Sequence, residues 1–134
     1  MSYAAIDDLI ARFGEDELTQ LTDRDGSGSL DSRALETALD ESASVIDSYL
    51  RGRYALPLLP VPKLLTGICC DLTRYALYAD AVPDALNDRQ RAALSQLRDL
   101  AAGRARLEVG VAPDAPAGRV VLVSAERLFT RESR

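Results

Sequence analysis

The sequence contains no histidine and no tryptophan, and its two cysteines, Cys69 and Cys70, stand side by side. Without histidine, Ser-His-Asp and Cys-His nucleophile systems and His-ligated zinc are excluded within the chain. Adjacent cysteines cannot staple distant segments, so no disulfide framework is available. No stretch approaches the roughly 18 apolar residues that a membrane span needs. The opening MSYAAIDDLIARF has no basic leader followed by an apolar run. Together these absences predict a protein kept in a cytosol-like compartment with reduced thiols. No Gly-rich phosphate loop, HExxH, GxSxG or zinc-ligand set occurs, so the expectation is a protein without enzymatic activity and without a cofactor.

What remains is an aliphatic chain of 134 residues, 47% hydrophobic but only 5% aromatic. That length suits one domain, and a core of Leu, Ala, Val and Ile is typical of helical bundles, so the predicted fold class is all-α. Acids outnumber bases by 21 to 16, which disfavours a duplex-binding protein that relies on phosphate neutralisation. The charge is split along the chain: residues 1–67 carry 12 acids and 6 bases, residues 68–134 carry 9 and 10. Lys63 is the single lysine beside 15 arginines, a bias that suits bidentate contacts at interfaces and also arises from GC-rich coding.

Periodicity and punctuation predict four to five helices over residues 1–107. Ser2 is a candidate N-cap for a first helix with Ala5, Leu9, Ile10 and Phe13 on one face and Gly14 as its stop. EDELTQL reads as a short acidic turn. Leu35, Ala38, Leu39, Ser42, Ile46, Tyr49 and Leu50 form the stripe of a long helix over about 32–51, with Glu36, Asp40, Glu41 and Asp47 mostly on its other side. RYALPLLPVP holds Pro57, Pro60 and Pro62, which bar a helix and predict an extended crossing. A third long pattern begins at Pro62 and ends by Asp80. A fourth begins near Pro83 and stops at Gly103. Residues 108–134 read as a separate unit, the linker EVGVAPDAPAG followed by the β-prone arm RVVLVSAERLFTR. In that arm Arg119, Val121, Val123, Arg127, Phe129 and Arg131 are the candidate oligomer or partner contacts.

DRDGSGSLD, residues 23–31, matches the first nine positions of an EF-hand loop. Asp23, Asp25, Ser27 and Asp31 are its candidate oxygen ligands. The pattern needs a bidentate Glu at position twelve, but Ala34 stands there and Glu36 lies two residues further on. A small calcium-binding module is the alternative function this loop allows. The structural reading needs no ion: Asp25-Gly26 and Ser27-Gly28 make turns, and Asp31 caps the long helix near Ala34. On that reading Asp23→Ala costs little.

Other candidates have bland explanations. Cys69 and Cys70 lie mid-helix on an apolar face and are predicted core residues. Arg74 reads as a surface or interface group. Asp7, Asp8, Glu15, Asp16 and Glu17 suit helix first turns, where acids compensate the dipole.

The run LTDRDGSGSLDSRALETALDESASVIDSYLRGRYALPL, then LLTGICCDLTRYALY, RQRAALSQLRDLAAGRARL and ERLFTRES, resembles a small protein family of Mu-like and related prophages. Its distinctive part is ASVIDSYLRGRYALP, Ala43 to Pro57. The family is similar in turn to the helical head-tail connector or head-completion proteins of long-tailed phages. That resemblance implies a virion neck adaptor, a homo-oligomeric ring of about twelve copies under the portal protein. The ring would hand the load to a tail stopper or terminator protein. DNA would pass its lumen without sequence-specific binding, repelled by the acids of the N-terminal half. No membrane is implied. Localisation would be the host cytoplasm during assembly and then the virion, and the arm would add a strand to a neighbour's sheet edge.

Overall fold

The computed structural model describes residues 2–23, 26–79 and 81–107. Among them are five helices and no strand: α1 (Ile6–Phe13), α2 (Glu15–Thr22), α3 (Ser32–Leu50), α4 (Lys63–Tyr78) and α5 (Asp84–Ala102). The predicted all-α bundle is what the chain forms. The arm, with Arg119, Val121, Val123, Arg127, Phe129 and Arg131, lies outside the described residues.

Three long helices make the core. Leu35, Leu39, Ile46 and Leu50 of α3 meet Leu65, Ile68, Cys69 and Leu72 of α4 and Leu97 and Leu100 of α5, all buried. Each buried leucine contributes about 1.5–3 kcal/mol relative to exposure, so this shared interior dominates the stabilisation. At its centre the Thr73 hydroxyl donates to Ser42 Oγ at 2.9 Å. That bond satisfies two polar groups that would otherwise be buried at a cost.

Four local expectations need correction. The first helix is not capped by Ser2, because it starts at Ile6. Instead Tyr3 is buried, its hydroxyl donates to Asp47 of α3, and its carbonyl accepts from Thr66 Oγ1 of α4 at 2.8 Å. The N-terminal segment is therefore a strap across two helices. Burial, reinforced by that bond, pushes the Tyr3 hydroxyl well above the usual tyrosine range.

Asp47 accordingly belongs to the interior, at 9% exposure, and not to the polar side of α3. EDELTQL is a helix rather than a turn. Gly14, at φ +89°, breaks the chain into α1 and α2, a backbone angle that favours glycine. Leu18 then anchors α2 in the core.

The proline segment does not cross the domain extended. It folds back through bends, with the Arg53 and Tyr54 amides both donating to the Leu50 carbonyl. The Leu56–Pro57 and Leu59–Pro60 bonds are cis. Proline forbids helix here but does not impose extension, and the inward pull of Leu58 and Tyr54 selects the bent path.

The end of α5 is fastened by the same segment. Arg53 Nε donates to the Ala101 carbonyl at 3.2 Å, and Tyr54 Oη accepts from the Leu107 amide at 3.3 Å. Gly103 adopts φ +80°, and a Cβ there would meet the Arg53 guanidinium at 2.8–3.0 Å. Replacing Gly103 with Ala is expected to lower the unfolding free energy by about 1–2 kcal/mol, measured by urea denaturation.

Burial also pushes the Cys69 thiol up to about 11 and the Cys70 thiol up to about 12. An unfolded cysteine ionises near about 8.5. Above that pH the unfolded chain loses thiol protons that the folded chain keeps, so stability falls as pH rises toward 11. Tm measured from pH 8 to pH 11 should decline, and less steeply in Cys70→Ala.

Candidate functional site

The loop that joins α2 to α3 closes on itself. Asp23 Oδ1 accepts from the Ser27 amide at 2.9 Å and from the Ser27 hydroxyl at 3.3 Å, while Oδ2 accepts from the Gly28 amide at 2.8 Å. Gly26 and Gly28 take φ +74° and +77°, the left-handed turns that let both amides point at one carboxylate. Asp31 Oδ1 accepts from the Ala34 amide at 3.2 Å and so caps α3 as expected. Thr22, buried at the end of α2, ties the two ends together. Its Oγ1 accepts from the Asp31 amide at 3.1 Å and donates to the Leu18 carbonyl at 2.8 Å.

The loop thus brings Asp23 and Ser27 together and places Asp31 on the helix instead, while Asp25 lies outside the described residues. No group of three or more His, Cys, Asp or Glu suited to a metal ion occurs among the described residues. What the arrangement does is organise a turn. The expectation that Asp23 is dispensable therefore changes, since its carboxylate replaces water for two backbone amides.

Arg74 is not a free surface group. Its Nε and Nη2 donate to the two Glu17 oxygens at 2.7 and 2.9 Å, Tyr78 donates to Glu17 at 3.2 Å, and the guanidinium stacks 4.4 Å from the Phe13 ring centre. The Glu17 bonds raise the Arg74 pKa against the opposing pull of burial. Burial, with help from the Glu17 charge, raises that of Tyr78. This cluster pins α1 and α2 to α4. Asp8 is likewise engaged, accepting from the Ala5 amide at 2.8 Å, so Asp8 and Glu17 are occupied within the fold while Asp7, Glu15 and Asp16 are exposed.

Cys69 and Cys70 are fully buried free thiols, core residues as predicted. No helix of the described residues is long and apolar enough to cross a membrane.

The comparison with known proteins adds a relationship to this geometry. The model of the family described as "Bacteriophage Mu, Gp36" matches residues 3–125. The chain belongs to the Gp36 family. A Mu-like prophage FluMu protein gp36 of Haemophilus influenzae is 33% identical over 112 residues, covering 84% of this chain and 78% of that protein. Gene product J of Escherichia phage Mu is 41% identical over 71 residues, 52% of this chain and 50% of that protein.

Within the Gp36 match the run Ala43 to Pro57 is spent on the fold. Ala43, Ile46 and Leu50 pack the core, Asp47 holds Tyr3, Arg53 binds the end of α5 and Tyr54 holds Leu107. Sequence reasoning missed Tyr3–Asp47, Glu17–Arg74 and Arg53–Ala101, whose partners lie 44 to 57 residues apart. The one available signal was the acidic triplet after Gly14, which marks a helix first turn.

Asp31→Ala is expected to cost about 1 kcal/mol and Asp23→Ala about 1–2 kcal/mol, both without added calcium. Thermal melts in excess calcium and in chelator should superimpose for the unsubstituted protein.

Proposed function

We propose that this Gp36-family chain is a phage morphogenesis protein without enzymatic activity, an adaptor of the virion neck that forms a ring between the portal and the tail. The observation that carries the reading is the family match over residues 3–125, which spans the helical body and continues into the C-terminal stretch. The body suits a ring wedge. Its buried polar groups, Ser42, Thr73, Asp47 and Thr22, bond to one another, to Tyr3 or to backbone, and serve the scaffold.

The strand-addition role for residues 119–131 takes a narrower form. No strand exists among the described residues, so the described body offers no sheet edge to receive them. A strand acceptor would then be a segment outside the described body or a different protein of the neck, such as a stopper or terminator. The acids of the N-terminal half still suit a DNA-repelling lumen through Glu15 and Asp16, which are exposed.

The test is a prophage carrying a stop codon early in this gene, examined by electron microscopy after induction. Filled heads without attached tails are expected, with tails attaching again when the gene is supplied in trans. Normal tailed particles, in which mass spectrometry finds no trace of the chain, would sink the proposal.

A further inference from the structure

Two surface features carry exposed side chains that the packing of the described fold does not use. The first is a groove of about 600 Å³ between the start of α1 and the outer side of α3. Ala5 and Ile6 supply apolar surface over the buried Leu39, and Asp7, Glu36 and Asp40 line the same groove. Asp7, Glu36 and Asp40 form no ion pair among the described residues. Among the described residues no base lines this groove.

The second feature is an apolar and basic prominence where the proline segment enters α4. Leu59 is 80% exposed and Leu64 41%, high values for leucine in a chain that buries most of its leucines. Lys63, Leu64 and Arg106 line a cavity of about 460 Å³ at this place, and among the described residues no acid lines it. An exposed aliphatic anchor flanked by cations is a surface that gains from meeting an apolar groove edged by carboxylates.

We propose that the Leu59, Lys63, Leu64 and Arg106 surface of one copy docks in the Asp7, Glu36 and Asp40 groove of a second copy. Leu59 and Leu64 cover Ala5 and Ile6, while Lys63 and Arg106 meet Glu36 and Asp40. The two surfaces differ, so the contact is head-to-tail, and a docked pair still presents one free surface of each kind. Such a contact propagates until it closes. The inference rests on the ring reading above and names the residues that would join its subunits.

The experiment measures the mass of the purified full-length chain by light scattering across a concentration series. Wild type should associate with rising concentration. Glu36→Lys with Asp40→Lys, or Lys63→Glu with Arg106→Glu, should each raise the association Kd at least about ten-fold, as should Leu59→Ser. All four side chains of the charge reversals are exposed, and circular dichroism checks that the variants fold.

Combining both reversals in one chain should restore association to within a few-fold of wild type. Mixing the two reversed proteins should restore it as well, because each surface of one variant then meets an oppositely charged surface of the other and alternating copies propagate. A wild type that stays monomeric throughout, or reversals that associate like wild type, overturns the contact. So does a reversal that leaves the mass monomeric but changes trypsin cutting after Arg119 or Arg127, since the chain's own C-terminal segment is then the occupant. None of these failures alters the outcome of the prophage stop-codon experiment, which judges the neck role by itself.

Discussion

The apolar stripe of α3 has to be covered from two directions, by α4 and by α5, and almost every other contact follows from how that covering is held. Ala38, Leu39, Ser42 and Ile46 are too broad a face for one partner helix, so α4 and α5 lie together against it and against each other. Small residues at the centre, Ser42 and Thr73, bring α3 and α4 close enough to exchange a hydrogen bond. Once these three helices are packed, the remaining segments are fasteners. Tyr3 straps α3 to α4, Glu17 and Arg74 dock the α1–α2 pair, and Arg53 with Tyr54 closes the far end of α5.

This division of labour explains what the family's distinctive run is for. Ala43 to Pro57 looks, as a string, like a recognition motif: charged, aromatic and proline-bearing. In the fold its buried members face the core, and Asp47, Arg53 and Tyr54 reach Tyr3, Ala101 and Leu107. The part of the chain that carries the resemblance is thus mainly a description of how the bundle is closed. Recognition is left to surfaces with less distinctive sequences, such as the outer side of α3 and the turn around Leu59.

Electrostatics follow the same separation. The bonds that matter for stability are desolvated or bidentate, as at Tyr3–Asp47 and Glu17–Arg74. Exposed pairs such as Arg91–Asp88 add little, because water and salt screen them. The acid excess in the first half of the sequence is therefore only partly a surface property. Asp8, Glu17, Asp23, Asp31 and Asp47 all have structural tasks, which leaves Asp7, Glu36 and Asp40 as unpaired carboxylates of the α3 groove.

The sequence by itself determined the helical class, the register of α3, the cap at Asp31, the stop at Gly103 and the burial of both cysteines. All of these rest on signals that act within one or two turns: a 3.6-residue period, a side chain reaching an amide three residues on, a glycine at positive φ. Tertiary structure alone decided that EDELTQL is helical, since eight residues are too few to be stable without Leu18 in a core and Glu17 on a distant arginine. It decided that Tyr3 and Asp47 face inward, that the proline segment bends, and that Asp23 fastens a turn. In the first two the deciding partner lies far along the chain, and local propensity carries no information about which segments packing will bring together. Asp23 differs, because its partners are near in sequence. There the pattern was visible, and only the hydrogen-bond geometry showed that the carboxylate is already engaged by the chain's own amides.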